Sequence, residues 1–248
     1  DGRVDALGTY LASGGSPTVS LLVPGSEQEA VPLLTLAILA GNDAAAVQLL
    51  GVGAPVAVLS AGEMMNAAVS KDMLRTLRAL IDQDPARFAS ISSGDHPLRV
   101  AVYEGKLEAT SIILEKMADY SVPRADEILN GALIVASSGR LPAAMEIVDA
   151  LLAAGADPAA VPALTGAVLN CSPEMVETFL ERDADPSQTY RGRSVADYAL
   201  DCFDRASRDR ARAILGSLHD AGVNLCTLEL RERRASVRTV TRRIGECD

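Results

Sequence analysis

The sequence predicts an all-α fold made of short helix–turn–helix motifs that repeat along the chain. Three observations lead to this prediction. Apolar residues recur at the i, i+3, i+4 spacing that places them on one face of a helix. Positions typical of turns return about every 33 residues. Only 3% of the 248 residues are aromatic and none is Trp, so the core must be built mainly from small aliphatic side chains, which suit close helix packing.

The clearest motif is the stretch HPLRVAVYEGKLEATSIILEKMADYS, which begins at His96. Both halves of this stretch carry their apolar residues on one helix face. Gly105 separates the two halves and acts as a helix breaker. The pattern therefore predicts a short helix, a tight turn and a second short helix.

The same pattern occurs six times along the chain. The residues between the two halves are separated by 30, 34, 34, 32 and 32 positions, and they are Gly41, Lys71, Gly105, Gly139, Cys171 and Phe203. Turn residues that end the second half are found at Gly53, Gln83, Gly155, Asp183 and Gly222. The copies that contain Gly139 and Phe203 have a longer second half. We expect extended outer helices there, with FDRASRDRARAIL as one long charged helix.

A period of about 33 residues with two helices in each copy resembles the ankyrin repeat, whose signature includes T-P-L-H-x-A. The stretch HPLRVAVYEG is the best copy of the start of that repeat, and GADP at Gly155–Pro158 is the best copy of its end. The resemblance covers nearly the whole chain. It implies an ankyrin-like α-solenoid of helix–turn–helix repeats with extended or hairpin linkers.

The repeat spacing divides the chain into a stack and a tail. Gly2 and Gly14 have the same spacing as Gly41 and Gly53, so residues 1–17 are interpreted as the second helix of a partial repeat. The fragment is expected to begin inside a repeat or at an irregular cap. Complete repeats are predicted at about 32–56, 62–85, 96–121, 129–158, 163–186 and 194–225. Residues 226–248 carry six arginines against four acids. They form either a capping segment, as a strand or a helix, or a basic arm for an acidic surface.

Several helix ends carry residues with capping chemistry. Ser172, Pro173 and Glu174 are expected to be an N-cap, a proline at the first helical position and an acid in the first turn. His96 occupies the Thr position of the ankyrin-like start, where a polar side chain caps the first helix. Arg99 occupies the family's His position, where we expect hydrogen bonds between adjacent linkers. The linkers PARFASISSGD and DPSQTYRGR have the composition of turns.

The sequence contains no motif of catalysis or cofactor binding. Phosphate-binding, nucleophile-elbow, zinc-protease and calcium-loop patterns are missing, and His96 and His219 are the only histidines. His219 is expected near the end of the last helix, where a cation is favoured. We therefore predict a protein without enzyme activity or cofactor, and with no catalytic or metal-binding residue.

The four cysteines show neither C-x-x-C spacing nor a nearby histidine, which argues against a zinc site. Cys171 and Cys202 belong to the same turn region of neighbouring repeats. Stacked helices lie about 8–10 Å apart, whereas a disulfide needs Cα atoms within about 7 Å. We therefore expect no bond between these two residues. Cys226 and Cys247 flank the tail and could pair.

The net charge of −10 argues against a nucleic-acid partner, because phosphate binding needs clustered basic residues. Such an acidic protein suits a basic protein partner. No apolar run reaches the roughly 18 residues of a membrane helix, so membrane insertion is not expected. Lysine is scarce, with 3 lysines against 20 arginines, and together with the high Ala content this indicates a GC-rich, bacterial coding sequence.

The resemblance implies where a protein partner would bind, because partners of ankyrin repeats touch the linker tips and the exposed positions late in each first helix. At the helix ends these positions are Leu39, Ser70, Tyr103, Glu104, Ser137, Ser138, Asn170 and Asp201. At the linker tips they are Ser92, Ser93, Asp95, Tyr190, Arg191 and Arg193. The apolar linker Thr18–Gly25 either packs on the stack or forms an interaction patch of its own.

These features predict a non-enzymatic protein-binding module, and two roles remain open. One is a bacterial inhibitor or immunity-type protein that binds a cognate enzyme or toxin through the concave face of the stack. The other is the adaptor, or target-recognition domain, of a larger secreted effector. The stack is expected to be monomeric when alone. It is expected to be cytoplasmic, or periplasmic or secreted if a leader was removed before Asp1.

Overall fold

The computed structural model of the chain describes residues 2–22, 30–55, 60–139, 141–160 and 162–227. These residues form fourteen α-helices, four short β-strands and one 3-10 helix. The chain divides into two compact units, and the division falls between Ile128 and Leu129. Most helices in both units come in pairs joined by short turns, as the repeated sequence motif predicts.

The first unit contains three helix pairs, one helix before them and one short helix in the linker between the second and third pairs. Its helices are α1 (Gly2–Ala12), α2 (Leu33–Leu39), α3 (Asp43–Gly51), α4 (Ala61–Ser70), α5 (Leu74–Gln83), α6 (Pro85–Ala89), α7 (Pro97–Tyr103) and α8 (Leu107–Asp119). α2 packs on α3, α4 on α5 and α7 on α8, and the first helices of neighbouring pairs also pack on each other. Before the first pair, strand β1 (Ser20–Leu22) runs antiparallel to β2 (Ala30–Pro32).

The second unit has the same kind of pairing. Helix α9 (Ala125–Ser138) crosses the division, and it is followed by α10 (Ala144–Ala153), α11 (Ala163–Leu169), α12 (Pro173–Leu180), α13 (Val195–Arg205), α14 (Arg208–Asp220) and the 3-10 helix η1 (Leu225–Thr227). α11 packs on α12 and on α13, and α14 packs on both α12 and α13. A hairpin of two-residue strands, β3 (Thr189–Tyr190) and β4 (Arg193–Ser194), precedes α13.

Each unit has an aliphatic core, as the composition predicts. Completely buried side chains of the first unit include Leu34, Ile38, Met64, Leu77, Leu98 and Ile113. Those of the second unit include Leu133, Ile147, Leu151, Leu164, Phe179 and Leu215. Burying one such side chain contributes about 2 kcal/mol to the free energy of unfolding. The cores thus come from the apolar face of each helix, and the residues at helix ends are left to contact solvent.

The tight turn inside a helix pair depends on one residue with a left-handed backbone. Gly41, Gly105 and Cys171 occupy this position with φ of 71°, 68° and 54°. In the α4–α5 pair the left-handed residue is Asp72, with φ of 55°, and the expectation that Lys71 takes this place is wrong. Aspartate tolerates the left-handed region better than lysine does, because its short carboxylate can form local hydrogen bonds.

Of the two outer helices expected to be long, α10 is not extended, whereas α14 has 13 residues but begins later than the sequence predicts. α9 has 14 residues whereas the outer helix α10 has 10, so the extra residues lie before α10, which begins directly after the left-handed Ala143. The stretch FDRASRDRARAIL is broken at Ala206 and is not one helix. A second helix, α14, begins after Ser207, because the Ser207 Oγ accepts a hydrogen bond from the Arg210 N–H and caps that helix.

The linker PARFASISSGD contains a helix that its turn-like composition does not predict. Gln83 ends α5 without a left-handed residue after it, since Asp84 has φ of −145°. Instead, the Asp84 carboxylate accepts a hydrogen bond of 2.9 Å from the Arg87 N–H and caps α6, with Pro85 at its first position. Phe88 then anchors α6, because its ring is completely buried.

The other predicted caps agree in position. Ser172 is the N-cap residue of α12 and Pro173 and Glu174 follow in its first turn, although the Ser172 side chain makes no capping hydrogen bond. A full capping box is found at α4, where Ser60 and Glu63 each bond the other's backbone N–H.

Hydrogen bonds between neighbouring pairs follow the repeat spacing. The Asp43 carboxylate accepts from both the N–H and the Oγ1 of Thr76, 33 residues later, at 2.9 and 2.7 Å. Lys106 Nζ lies 2.6 Å from the Asp72 carboxylate, 34 residues earlier. These bonds hold equivalent turns of successive pairs side by side within the first unit.

A disulfide joins Cys171 and Cys202, contrary to the expectation from helix spacing. Their Cα atoms are 5.7 Å apart, and both side chains are completely buried. The distance between helix axes does not limit this pair, because Cys171 is the left-handed turn residue that follows α11 and is not part of the helix. Cys226 is disulfide-bonded as well. Cys247, its expected partner, and the tail from residue 228 onward lie outside the described residues.

Candidate functional site

Exposed residues lie at the ends of the first helices in the first unit. α2 ends at Leu39, α4 at Ser70 and α7 at Tyr103. The Tyr103 side chain is 72% exposed and that of Leu39 is 50% exposed, although the residues just before them in their helices are completely buried. The structure joins two of these helix ends, because the Ser70 Oγ donates a hydrogen bond of 2.5 Å to Glu104 Oε1. We call Leu39, Ser70, Tyr103 and Glu104 the helix-end surface.

The predicted linker-tip residues of the first unit are partly held by internal bonds. Ser92 Oγ donates to Asp95 Oδ2 at 2.8 Å, within the linker itself. Ser93 Oγ donates to Glu127 Oε1 at 2.8 Å. The hydrogen bonds from Ser93 and Arg124 lower the pKa of Glu127 below its usual value. Ser92 and Asp95 remain exposed, whereas the Ser93 side chain is half-buried.

The helix-end residues of the second unit differ from one another in exposure. Ser138 is exposed, but Ser137 is completely buried and donates to the Ile134 carbonyl at 3.1 Å, so the proposal that Ser137 contacts a partner is wrong. Ser137 faces Gly166, where an added Cβ would lie 2.3 Å from its Oγ. Asn170 is half-buried, and its Nδ2 donates to the Gly139 carbonyl at 2.9 Å.

The hairpin before α13 presents an arginine at its tip. Tyr190 pairs with Arg193, and the two residues between them, Arg191 and Gly192, have φ of 50° and 75°. Two consecutive positive φ values are what a two-residue turn of type I′ requires. The Arg191 guanidinium lies 5.2 Å from the centroid of the Tyr190 ring, and both side chains are exposed.

Arg193 has a different role from Arg191. Its Nη1 lies 3.0 Å from Asp201 Oδ2, its Nη2 donates to the Asp197 carbonyl at 2.8 Å, and its guanidinium lies 4.3 Å from the centre of the Tyr198 ring. The hydrogen bond with Asp201 raises the pKa of Arg193. Arg193 and Asp201 therefore brace the hairpin against α13, and Arg191 is the exposed arginine at the tip.

His96 is a capping residue, as predicted. Its Nδ1 accepts a hydrogen bond of 3.3 Å from the Leu98 N–H, and its ring lies 5.1 Å from the ring of Phe88. Burial lowers the pKa of His96 to about 4, so the imidazole is neutral near pH 7. Arg99 bonds the Gly94 carbonyl of its own linker at 3.4 Å, and the expected bond to an adjacent linker is wrong.

A charged cluster that the sequence analysis does not predict lies between α5 and α8. Lys116 Nζ lies 2.7 Å from Asp82 Oδ1, and the Tyr120 hydroxyl donates to the same oxygen at 2.6 Å. Burial acts to raise the pKa of Asp82, but the hydrogen bonds from Lys116 and Tyr120 outweigh it, and the pKa is lowered. The 34-residue separation of Asp82 and Lys116 equals the repeat period and could have revealed the pair.

The apolar linker Thr18–Gly25 is described only in part. Its residues Ser20–Leu22 form β1, and Leu21 is 47% exposed, while residues 23–29 lie outside the described part. Across the described ranges, no three His, Cys, Asp or Glu side chains come together in a way that could hold a metal ion. No helix in the part of the chain that the structure describes has the length and apolarity needed to cross a membrane.

No protein-family model and no curated protein sequence matches this chain. Among solved structures, the chain is similar to the ankyrin repeat domain of Bcl-3, a unique member of the IkappaB protein family, with a TM-score of 0.60. The similarity covers 86% of this chain and 96% of that domain, at 21% sequence identity. This chain has the ankyrin-repeat fold. The ankyrin-repeat architecture that the degenerate sequence copies predict is thus confirmed. The helix ends and linkers described above are those of the successive repeats.

Proposed function

We propose that this ankyrin-repeat chain is a non-enzymatic protein-binding module. The observation that carries the proposal is the 72% exposure of Tyr103 at the end of α7, in a chain with only eight Phe and Tyr residues in total. A rigid aromatic side chain exposed at a helix end offers a partner a large apolar contact area together with a polar hydroxyl. Tyrosine is also among the residues most enriched at binding hot spots.

The neighbourhood of Tyr103 supports the same function. Leu39 adds a second exposed apolar side chain at an equivalent helix end, and the bond between Ser70 and Glu104 holds a carboxylate next to Tyr103. In the second unit, the Tyr190–Arg191 tip supplies another exposed tyrosine and an arginine, which is a further residue type that binding hot spots favour. A partner of this chain is a protein with apolar and basic groups, since the chain has a net charge of −10.

Within this class, we propose a bacterial inhibitor or immunity-type protein that binds and blocks a cognate enzyme or toxin. Its acidic charge and the lack of catalytic motifs in the sequence support this role. The alternative, the adaptor domain of a secreted effector, draws support from the buried disulfide between Cys171 and Cys202. Disulfides persist mainly in oxidising compartments, so this bond favours a periplasmic or secreted protein over a cytoplasmic one.

Affinity capture from bacterial lysate, followed by titration calorimetry with the identified partner, tests the proposal. We expect Tyr103→Ala and Leu39→Ser to weaken binding by about tenfold or more each, because hot-spot truncations cost more than 1 kcal/mol. Glu115→Gln is the matched control, since Glu115 pairs with Arg78 away from the helix-end surface. Unchanged affinity in both variants would overturn the proposed surface. An inhibitor must also reduce the activity of its partner at stoichiometric ratio, whereas an adaptor leaves that activity intact.

A further inference from the structure

A cleft of about 540 Å³ lies in the first unit between the start of α4, helix α6 and the linker that follows α6. Its volume is within the range of about 300–1,000 Å³ that is typical of ligand pockets. The cleft forms because the linker between α5 and α7 contains the extra helix α6 instead of a short direct turn. Phe88 holds α6 in the core, and the linker residues after it pass over the start of α4.

Gly62 forms the floor of the cleft. A Cβ atom at this position would lie 3.4 Å from the Asp95 carbonyl and 3.6 Å from Ile91 Cγ2. The glycine therefore leaves open a space that any larger side chain would enter. Ile91 supplies an apolar wall beside this floor, against which an alkyl chain could pack.

The rest of the lining is polar and includes the two carboxylates Glu63 and Asp95. The Asn66 Nδ2 donates to the Asp95 carbonyl at 3.3 Å, while the Asn66 Oδ1 is buried and accepts no hydrogen bond from the described residues. Glu63 Oε2 accepts from the Ser60 N–H, and Asp95 Oδ2 accepts from Ser92, which leaves one oxygen of each carboxylate available.

The charges of the lining have an excess of negative sign. Glu63 and Asp95 are close enough to repel each other electrostatically, and Arg87 is the single basic residue among those that line the cleft. The lining thus carries one more negative than positive charge. The remaining oxygens of the two carboxylates call for a ligand that brings N–H groups and a positive charge.

We propose that this cleft receives an arginine side chain of the protein partner. A guanidinium offers five N–H donors in a planar fork, which matches the carboxylate oxygens of Glu63 and Asp95. Its alkyl stem packs against Ile91 and the open floor at Gly62. An ammonium group is more strongly hydrated and has fewer donors, so lysine fits less well. That the arginine belongs to a protein partner rests on the proposed function, whereas the fit of a guanidinium to the cleft does not.

Titration of the 15N-labelled chain with N-acetyl-arginine methylamide tests the proposal. We expect saturable shifts of the Gly62, Asn66 and Asp95 amide signals, with a dissociation constant in the millimolar range. The matching citrulline compound has the same shape without the charge, and it should bind about tenfold more weakly or not at all. Equal shifts with both compounds, or no saturable shift with either, would overturn the proposal.

Two charge variants and two glycine variants sharpen the test. Asp95→Asn and Glu63→Gln should each weaken binding of the arginine compound about threefold, because each variant removes one exposed negative charge. The glutamine at position 63 can still cap α4. Glu115→Gln, which lies outside the cleft, should leave affinity unchanged. Gly62→Leu should abolish binding by filling the floor, whereas Gly62→Ala, which meets its neighbours at ordinary contact distance, should retain most of it. Thermal melting confirms that each variant is folded.

The two proposals fail separately. If the arginine compound binds as described and no protein partner is captured, the recognition chemistry stands and the proposed function is wrong. If a protein partner is captured and binds Asp95→Asn, Glu63→Gln and Gly62→Leu as tightly as the wild type, the proposed function stands and the cleft is not its arginine site.

Discussion

Ser70 and Glu104, 34 residues apart in the sequence, are joined by a hydrogen bond of 2.5 Å between the Ser70 Oγ and Glu104 Oε1. The bond links the ends of α4 and α7 at equivalent positions of two neighbouring helix pairs. It holds the Glu104 carboxylate in place beside Tyr103, the preceding residue, whose side chain is 72% exposed.

The first prediction concerns Tyr103. Tyr103→Ala should weaken partner binding by about tenfold or more and shift the melting temperature by less than about 2 °C, because the side chain contributes little to the core. Calorimetric titration and thermal unfolding measure the two effects. Ser70→Ala is the comparison variant, since it loosens Glu104 without removing the ring. A large loss of stability in Tyr103→Ala would show that the ring is structural.

The second prediction concerns the Cys171–Cys202 disulfide. The bond closes a segment with a sequence separation of 31 residues, and the chain-entropy model assigns such a loop about 3–4 kcal/mol of stability. Cys171→Gly combined with Cys202→Ala should lower the free energy of unfolding by that amount. Glycine suits the left-handed backbone at position 171, because Gly41 and Gly105 occupy equivalent turns.

Urea unfolding with and without a dithiol reductant measures this contribution. The wild type should lose stability on reduction, and the double variant should lose less, since only its other disulfide remains to be reduced. Equal losses in both proteins would show that the Cys171–Cys202 bond contributes nothing.

The third prediction is a pH dependence that originates at His96. Its pKa is about 4 in the folded chain, against an ordinary value of 6.5, so the folded state binds fewer protons than the unfolded state between these values. The stability is therefore fully present above about pH 6.5 and is lost as the pH falls through 4. Between pH 7 and pH 4.5 the loss amounts to about 2–3 kcal/mol from this residue.

His96→Thr provides the control, because threonine can also cap α7 but does not titrate. Urea unfolding at several pH values should show a shallower acid loss in the variant than in the wild type. Identical pH profiles would contradict the assignment to His96.

The fourth prediction concerns the packing of Ser137 on Gly166. Gly166→Ala should destabilise the second unit by about 1–3 kcal/mol, since the new Cβ would lie 2.3 Å from the Ser137 Oγ in a buried space. Adding Ser137→Ala should restore part of the loss. Gly216→Ala in α14 is the opposite case, because nothing lies within 4 Å of its Cβ position, and it should stabilise by up to about 1 kcal/mol. Thermal unfolding distinguishes these outcomes.

The architecture was predictable because glycine, aspartate and proline recur at the ends of short apolar helices with a nearly constant period. A period of this kind survives even where a single copy is degenerate, as in the α4–α5 pair. The exact turn residue was harder to predict, because Lys71 and Asp72 are adjacent and only the tolerance of aspartate for positive φ separates them.

Three other features depend on geometry that spacing alone does not give. Helix α6 arises from a cap at Asp84 and a buried ring at Phe88 within a turn-like composition. Ser137 and Ser138 differ by one residue, which is a 100° rotation on a helix and decides which of them is buried. The disulfide was missed because the turn carrying Cys171 reaches closer to α13 than the distance between helix axes allows.

Arg191 and Arg193 have different roles in the hairpin before α13, and this limits which of the two positions can be substituted. Arg193 is tied to Asp201 and stacked on Tyr198, so its replacement would disturb folding and recognition at once. Arg191, two residues away, contacts only the ring of Tyr190 among the described residues. We therefore expect position 191 to accept many side chains without loss of the fold, for example in a randomised library, while position 193 has to stay arginine to support the hairpin.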